Sequence, residues 1–476
     1  MTGAAAIARA TLRTLLRSRL APAMLLAVLA ATALLPMALR GDGTLEGLIR
    51  IHLSYTLGLA SFLLGLFSLW TGCAGISREA ETKTLHLLVT KPVPRLSIWM
   101  GKWLALLVLD AALLATAVLA SAATLHHRIH APAFTDVQRA EALPRALASL
   151  ATPRAPLPAV EPAVRSDLLR LKAAGQLPDL PESTLLAQIR RNVLAREFAL
   201  APGASRTWRF APPDGIPADA PAWLQLRCDT SLLGSAETAV AWQPGGEGRD
   251  ARNFAFIPGI PRLLPAPLPL SAYGDPAPTL TLTNRDPNGA TLFFDPDDGA
   301  ALRVRTGTFA GNLFRAALLL YGRMALLAAV GLTLGTLFSL PVAAFASVVL
   351  LLLLQLSNFI GAAAQADRAT FVANVAPFGA DAHPHDEAPS AETSSAPSPA
   401  ARAAATALYY LYRATWTLLR PLLEDTTLDR LSTATAIPAR EVMGTLLRQL
   451  LLLPLLLGLL SAATLRAREW ALPAEG

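Results

Sequence analysis

The chain has 476 residues, of which 53% are hydrophobic and only 16% are charged. An ordinary soluble domain carries about 25% charged residues, so this composition argues against a soluble globular enzyme. The net charge of +7 is spread along the chain without a basic stripe interleaved with aromatic residues, which argues against nucleic-acid binding. The two cysteines, Cys73 and Cys228, exclude a disulfide framework and a cysteine zinc site. We therefore predict a membrane protein.

Six apolar stretches are long enough to cross a bilayer, which requires about 20 mainly apolar residues. They are predicted at residues 21–39, 55–76, 103–122, 322–340, 342–364 and 446–465. These stretches predict a six-helix transmembrane bundle. The bundle is divided into residues 1–123, with spans one to three, and residues 311–476, with spans four to six.

The positions of arginine and lysine beside the spans predict the orientation, because these residues favour the cytoplasmic side. The N-terminal segment, the loop at 77–102 and the C-terminal tail are all basic. Their cations are Arg9, Arg13, Arg17, Arg19, Arg78, Lys83, Lys91, Arg95, Lys102, Arg466 and Arg468. Six spans place all three segments on one side, so we predict cytoplasmic termini and an external insertion at 124–310.

The insertion changes character along its length. Residues 131–162 are rich in alanine and proline, which favours an irregular or loosely helical connection, and helical patterns follow at 164–174 and 182–198. The whole stretch at 124–204 is interpreted as a helical linker. Short alternating runs separated by turn residues predict strands at 223–228, 237–243, 279–284, 291–295 and 301–307. We predict a β-sandwich or jelly roll at 205–310.

Two further features fall outside the spans. Residues 381–402 are of low complexity and are predicted to form a disordered outer loop. Cys228 lies in a predicted strand and is interpreted as a small buried hydrophobe.

The chain contains no recognisable catalytic motif. It lacks the Walker A pattern, the H-E-x-x-H zinc motif, the G-x-S-x-G elbow and the dinucleotide fingerprint. We therefore predict that it is not an enzyme and carries no cofactor. A membrane-embedded enzyme that acts on envelope glycans or lipids would need paired carboxylates or a metal site near the outer interface, where only a histidine cluster is available.

That cluster is HHRIH, in which His126 and His130 would share a face if the third span continued as a helix. Such spacing permits metal binding. The preferred interpretation of His126, His127 and His130 is a solvated interfacial cluster, so no metal site is predicted.

Ionisable or polar groups within spans are functional candidates because their burial in a bilayer is costly. Asp110 lies in span three, whereas Arg315 and Arg323 precede or enter span four. We expect residues 311–321 to form an amphipathic lead-in from which both arginines reach headgroups; alternatively, Asp110 pairs with Arg323. Gln355 and Asn358 are one turn apart on span five. They line a polar path or, on the preferred interpretation, hydrogen-bond a neighbouring helix.

The loop from Ile76 to Trp103 carries the strongest local pattern. It predicts a helical stretch at Glu79 to Val89, a break at Lys91-Pro92 and a lead into span three from Arg95. One interpretation is a basic loop that only fixes the topology. The other is an amphipathic helix along the membrane that docks a cytoplasmic partner.

The same loop resembles that of ABC-2 type ABC transporter permeases, which carry E-x-x-x-x-T-L-x-x-L-x-[ST]-x-P-[VI]-x-R-x-x-[IL]-x-x-G-K between spans two and three. The matching residues are Glu79, Thr84, Leu85, Leu88, Thr90, Pro92, Val93, Arg95, Ile98, Gly101 and Lys102. Residues 7–20 resemble the family's elbow helix, and residues 421–476 resemble its last loop, span and tail. The large insertion and GDGTL at 41–45 resemble a bacterial subgroup with a periplasmic domain.

The resemblance implies a separate ATP-binding subunit below the bacterial inner membrane and a second permease chain, identical or related. The main coupling helix would lie around Glu79 to Arg95, and the turn Ser339-Leu340-Pro341 would be a smaller contact. The resemblance gives the loop's side chains two roles, apolar contact and fixing of the register. Apolar contact is assigned to Leu85, Leu88 and Val93, and the register to Glu79, Glu81, Lys83 and Arg95. Pro92 is a further residue of the coupling loop.

The preferred hypothesis is therefore the permease subunit of an ATP-driven exporter with an unidentified substrate. The alternative is a non-transporting membrane anchor that displays a periplasmic binding domain. The coupling-like loop favours the exporter, because an anchor has no need of such a loop.

Overall fold

The structure is a computed structural model. It describes residues 2–39, 43–82, 84, 93–153, 155–175, 182–211, 215–232, 237–245, 250–259, 261–264, 267–274, 277–296, 299–355, 368–375, 399–423 and 426–467. The chain forms two compact units. The helical unit comprises Met1–Ser149, Gly307–Asn358 and Leu418–Gly476, and the sheet-rich unit comprises Leu150–Thr306 and Phe359–Thr417.

Long apolar helices build the helical unit, as the spans predicted. A helix before the first span, α1, covers Thr2–Arg17. Among the described residues, five helices are long and apolar enough to cross a membrane. They are α2 (Leu20–Ala38), α3 (Leu45–Glu81), α4 (Arg95–Ile129), α8 (Phe309–Leu337) and α13 (Ala439–Arg466). A helical multi-pass membrane domain is therefore present.

The predicted fifth span corresponds to α9, Leu340–Gln355. Its second half, with Asn358, lies outside the described residues, as does the side chain of Gln355. The count of six spans thus stays a prediction.

Small residues let α3 and α8 approach each other closely. A Cβ atom added at Gly331 would lie 2.3 Å from the Leu69 carbonyl oxygen, and one at Gly335 would lie 2.4 Å from that of Cys73. The Ser77 hydroxyl donates to the Gly335 carbonyl at 3.1 Å. Helices in a bilayer associate through such close backbone packing, because lipid removes the hydrophobic drive between them.

A polar contact fixes the start of α8. The buried Asn312 side chain donates to the Thr435 carbonyl and accepts from the Ile437 amide, both at 2.9 Å. The Arg315 guanidinium donates to the Ile437 carbonyl at 3.2 Å. A position of residues 311–321 in the membrane interface, as an amphipathic lead-in, stays a prediction. These residues belong to the continuous helix α8, and Arg315 binds a turn within the protein rather than extending to headgroups.

The remaining helices are shorter. They are α5 (Asp136–Ala146), α6 (Glu161–Ala173), α7 (Glu182–Glu197), α10 (Arg368–Val375), α11 (Pro399–Leu423) and α12 (Thr427–Ser432). The helices α6 and α7 confirm the two helical patterns of the insertion. The regular helix α5 was not predicted within 131–162, and a capping box between Thr135 and Gln138 begins it. Helix α11 begins inside the stretch predicted as disordered, of which 381–398 lie outside the described residues.

The sheet-rich unit contains the five predicted strand regions and several shorter strands. The strands are β1 (Ala148–Ala151), β2 (Ala199–Leu200), β3 (Ser205–Arg209), β4 (Pro221–Leu226), β5 (Cys228–Thr230), β6 (Thr238–Pro244), β7 (Arg252–Phe256), β8 (Arg262–Leu263), β9 (Leu268–Pro269), β10 (Thr279–Asn284), β11 (Leu292–Phe294) and β12 (Ala300–Thr308). They form sheets with the orders β1-β12-β4-β8, β3-β10-β6-β7 and β2-β11-β5, and β9 also pairs with β4. The jelly-roll topology stays a prediction.

The alternation of apolar and polar residues along β10 shows how a strand of this unit contributes to its core. Leu280 and Leu282 are fully buried, whereas the threonines that alternate with them, Thr279, Thr281 and Thr283, are only partly buried. Opposite Leu282 in the register lies Trp242 on β6. The turn after β10 uses the predicted chemistry: the Asn284 side chain accepts from the Asp286 amide, and Gly289 adopts a φ of 70°.

Cys228 is buried, as predicted. Its surroundings predict how the stability of the fold and the reactivity of the thiol depend on pH. Burial, with the nearby carboxylates of Asp229 and Asp286, raises the pKa of this thiol from 9.0 to about 12. Because the folded pKa exceeds the unfolded one, the stability contribution is complete below about pH 9 and is lost as the pH rises towards 12. We expect the native chain to resist maleimide at about pH 8, since the thiolate is the reactive form. Labelling should appear only after unfolding in detergent, and rapid native labelling at that pH would contradict this environment.

Candidate coupling site

The loop that joins α3 to α4 is anchored at its base by an ion pair whose lysine is buried. The Lys102 ammonium, on α4, donates to the Glu79 carboxylate, on α3, at 2.5 Å and to the Gly75 carbonyl at 3.0 Å. The Lys102 side chain is 3% exposed and that of Glu79 is 34% exposed. The pair therefore fixes the end of α3 against the start of α4. We call this end of the helical unit, where Glu81 ends α3 and Arg95 begins α4, the loop end.

Glu79 and Lys102 thus have a structural role that the loop pattern alone did not assign. The resemblance implied that Glu79 sets the register of a docked subunit, whereas the structure places its carboxylate on Lys102. Residues 79–81 are helical, as the last turn of α3, and residues 83 and 85–89 of the predicted helical stretch lie outside the described residues.

The packing of α1 explains why the pattern has a glycine, Gly101, directly before Lys102. A Cβ atom there would lie 2.7 Å from the Ala4 carbonyl oxygen and 2.8 Å from the Ile7 Cβ. Real Cβ contacts are never so close, so α1 packs on α4 at a point where only glycine fits. The predicted elbow helix is therefore present and rests directly on the helix that follows the loop.

A second contact links the loop end to α9. The Glu81 carboxylate accepts from the Leu340 amide at 3.1 Å. This amide lies in the turn Ser339-Leu340-Pro341, at the start of α9, where free amides and the helix dipole favour a carboxylate. The structure therefore brings together the two segments for which the resemblance implied coupling roles.

The other predicted coupling residues divide into two groups. Val93 packs inside the helical unit, and a Cβ added at Gly3 of α1 would lie 3.5 Å from it. Arg95 begins α4. Four further residues lie outside the described part of the chain: Lys83, Leu85, Leu88 and Pro92.

Asp110 lies inside the bundle and not at a surface. Its side chain is completely buried, and neither carboxylate oxygen has a hydrogen-bond partner. Its neighbours are Ser68 on α3 and Tyr321 on α8. The alternative hydrogen-bonded pairing of Asp110 with Arg323 is therefore wrong in this conformation. A place on a translocation path remains a prediction for Asp110, Arg323, Gln355 and Asn358.

The isolation of Asp110 predicts the effect of neutralising it. A buried carboxyl without partners destabilises a fold, so we expect Asp110→Asn to leave the melting temperature of the purified chain unchanged or to raise it. Thr116→Ala, which removes an exposed hydroxyl of α4 that donates to the Ala112 carbonyl at 2.8 Å, is the control. A clear loss of stability in Asp110→Asn would show that the carboxyl has a partner.

The histidine cluster ends α4. The His126 and His130 rings share a face, with centroids 4.4 Å apart, as predicted. However, the His130 Nδ1 donates to the His126 carbonyl at 2.8 Å, so that nitrogen is occupied. No group of three or more histidine, cysteine, aspartate or glutamate residues that could hold a metal occurs in the described part of the chain.

His52 was missed by the sequence analysis. It is buried in a π turn of α3, His52–Thr56, and its Nε2 lies 3.0 Å from the Ser121 carbonyl oxygen on α4. Its Nδ1 has no partner among the described atoms. The available signal was a histidine within an apolar stretch, but the span was predicted to begin only at Tyr55.

These features define a multi-pass helical membrane protein with an anchored loop between its second and third long apolar helices. Residues 5–151 match the family model described as ABC-2 family transporter protein. That match covers α1 to α4 and the loop pattern, and it confirms the resemblance to ABC-2 type permeases over this part of the chain. Permeases of this family are the membrane components of ABC transporters and generally work with a cytoplasmic ATP-binding subunit. Comparisons with curated proteins and with solved structures found no match.

Proposed function

We propose that this chain is the permease subunit of an ATP-driven ABC exporter. In this proposal it lies in the bacterial inner membrane with cytoplasmic termini, and it couples a separate ATPase to the movement of an unidentified substrate. The observation that carries the proposal is the Glu79–Lys102 pair at the base of the family-matched loop. A loop held at both ends transmits a displacement to two helices at once, whereas an unanchored loop would bend.

The contacts around the loop suggest how such a displacement spreads. The Glu79–Lys102 pair connects α3 to α4, Gly101 seats α1 on α4, and Glu81 connects α3 to α9. Motion of the loop would therefore move four helices together. Closure of two ATPase subunits would then rock two permease chains against each other and open a path between them.

Rigid transmission also requires a packed interior behind the loop. Trp99 and Trp103 stack with ring centroids 5.9 Å apart, and the Trp103 indole donates to the Ala325 carbonyl of α8 at 2.9 Å. Both tryptophans belong to a buried cluster that includes residues of α3, α8 and α13. This cluster extends the connection from the loop end to the last long helix.

Co-purification with the ATPase encoded beside this chain tests the proposal. We expect the wild-type chain to capture the ATPase and Leu85→Glu/Leu88→Glu to lose it, because two carboxylates replace the apolar contacts assigned to the coupling helix. The matched control is Leu169→Glu/Leu232→Glu, which makes the same change at exposed leucines of the sheet-rich unit. Capture by the control and not by the loop variant supports the exporter. No capture by the folded wild-type chain would favour the membrane anchor.

A further inference from the structure

A cavity of about 340 Å³ lies in the helical unit at the end opposite the loop end. We call this end, where α3 begins and α4 finishes, the distal end. Apolar side chains of α2 and α3 form most of the cavity wall, together with Phe134. The principal lining residues are Met37, Leu48, Ile51, Phe134, Thr44 and Arg128. The described lining is therefore mainly apolar, with one cationic group, the Arg128 guanidinium.

Arg128 makes no ion pair with any described residue, although acidic residues occur nearby. Glu46 pairs with Arg145, and Asp136 pairs with Arg139. The neighbouring His126 and His127 are exposed and add no negative charge. Within the described part of the chain, no carboxylate therefore takes up the hydrogen-bonding capacity of the Arg128 guanidinium.

The cavity adjoins the surface that faces hydrocarbon. On α2, Leu34 is 63% exposed and Met37, in the cavity wall, is 80% exposed. In a multi-pass membrane protein such exposed apolar side chains contact lipid chains. A molecule that enters from the bilayer can thus keep its acyl chains against α2 while its head reaches Arg128.

We propose that this cavity binds an anionic phospholipid, with the phosphate on Arg128 and the glycerol and upper acyl chain against Met37, Leu48 and Ile51. Basic pockets between membrane helices are suited to anionic headgroups, and arginine binds phosphate through two parallel hydrogen bonds. The proposal needs only the membrane class of the protein, so it does not depend on the exporter function.

Native mass spectrometry of the full chain in neutral detergent tests this site. The chain is titrated with phosphatidylglycerol, phosphatidylcholine and inorganic phosphate. We expect phosphatidylglycerol to bind roughly tenfold more tightly than phosphatidylcholine, and Arg128→Gln to remove that preference. Arg50→Gln, at an exposed arginine on the same end of α3 that does not line the cavity, is the matched control and should bind as wild type.

Two further variants distinguish binding inside the cavity from attraction of the lipid to surface charge. Leu48→Trp fills the cavity while it retains Arg128, and we expect it to lose phosphatidylglycerol. Arg128→Lys keeps the charge and should retain most of the binding. Unchanged lipid binding in Arg128→Gln or in Leu48→Trp would overturn the site. Displacement of phosphatidylglycerol by millimolar inorganic phosphate would show a free-anion site and would also overturn the lipid proposal.

Discussion

Lys102→Met is expected to destabilise the purified chain by about 3 kcal/mol, because it leaves the Glu79 carboxylate without its cation. One oxygen of that carboxylate, Oε2, is already buried without a hydrogen-bond partner, which increases the cost of losing the ammonium. Glu79→Gln should also destabilise the chain, because the 3% exposed Lys102 ammonium loses its counterion, although the glutamine amide oxygen and the Gly75 carbonyl can still accept hydrogen bonds from it. The unfolding free energy in detergent is the measurement.

The double variant and an exposed pair complete this test. Glu79→Gln/Lys102→Met should be more stable than Lys102→Met alone, because no unpaired charge is left. The control is Arg430→Met, which breaks a pair with Glu441 whose side chains are 34% and 43% exposed. Such an exposed pair contributes at most about 1 kcal/mol. An equal loss in Lys102→Met and Arg430→Met would contradict the anchoring role of Lys102.

Gly101→Leu should separate α1 from α4, and this is the second large effect that we expect. Even the Cβ of the leucine would lie 2.7 Å from a backbone oxygen of α1, which has no flexible end to move aside. Gly101→Ala should already lose about 1–3 kcal/mol through overpacking. Hydrogen exchange across residues 2–17 should rise in both variants, and more strongly in the leucine variant.

Gly444 provides the matched control for Gly101. It lies in an exposed turn of α13, and a Cβ added there would have no atom within 4 Å. Gly444→Ala should therefore raise stability by up to about 1 kcal/mol through helix propensity. If Gly101→Ala behaves like Gly444→Ala, the close packing of α1 on α4 is absent in solution.

Hydropathy predicted where the long helices lie but not where they end. Span three was predicted at 103–122, whereas α4 runs from Arg95 to Ile129. Its additional turns carry Lys102 and the histidine cluster, which an apolar window excludes although an α-helix accommodates them. The same reasoning explains α3, which begins ten residues before the predicted start at Tyr55.

The contacts of the loop end could not be predicted because they join residues distant in sequence. Glu79 and Lys102 are 23 residues apart, and Glu81 and Leu340 are 259 apart. The pattern singled out Glu79, Gly101 and Lys102 but not that they contact each other or α1. Similarly, no local signal indicates that Arg315 binds a carbonyl 122 residues away.

The strands were easier to locate than their arrangement. Alternation and turn residues located β10 to within the residues that form it, because a half-buried strand has a period of two. Pairing depends on contacts such as that between Leu282 and Trp242, which alternation does not specify. The missed helix α5 begins with a capping box, a local signal that the alanine- and proline-rich composition obscured.

Photo-crosslinking from the loop tests the central claim most directly. Benzoylphenylalanine placed at the exposed Thr84, within the family pattern, should form one adduct in cells, with a subunit that carries a Walker A motif. The same group at the exposed Leu169 of the sheet-rich unit should not capture that subunit. An adduct with the ATPase from residue 84 alone is the result that we predict. Absence of that adduct, with both variants inserted and folded, would contradict the proposal that this chain couples an ATPase to transport.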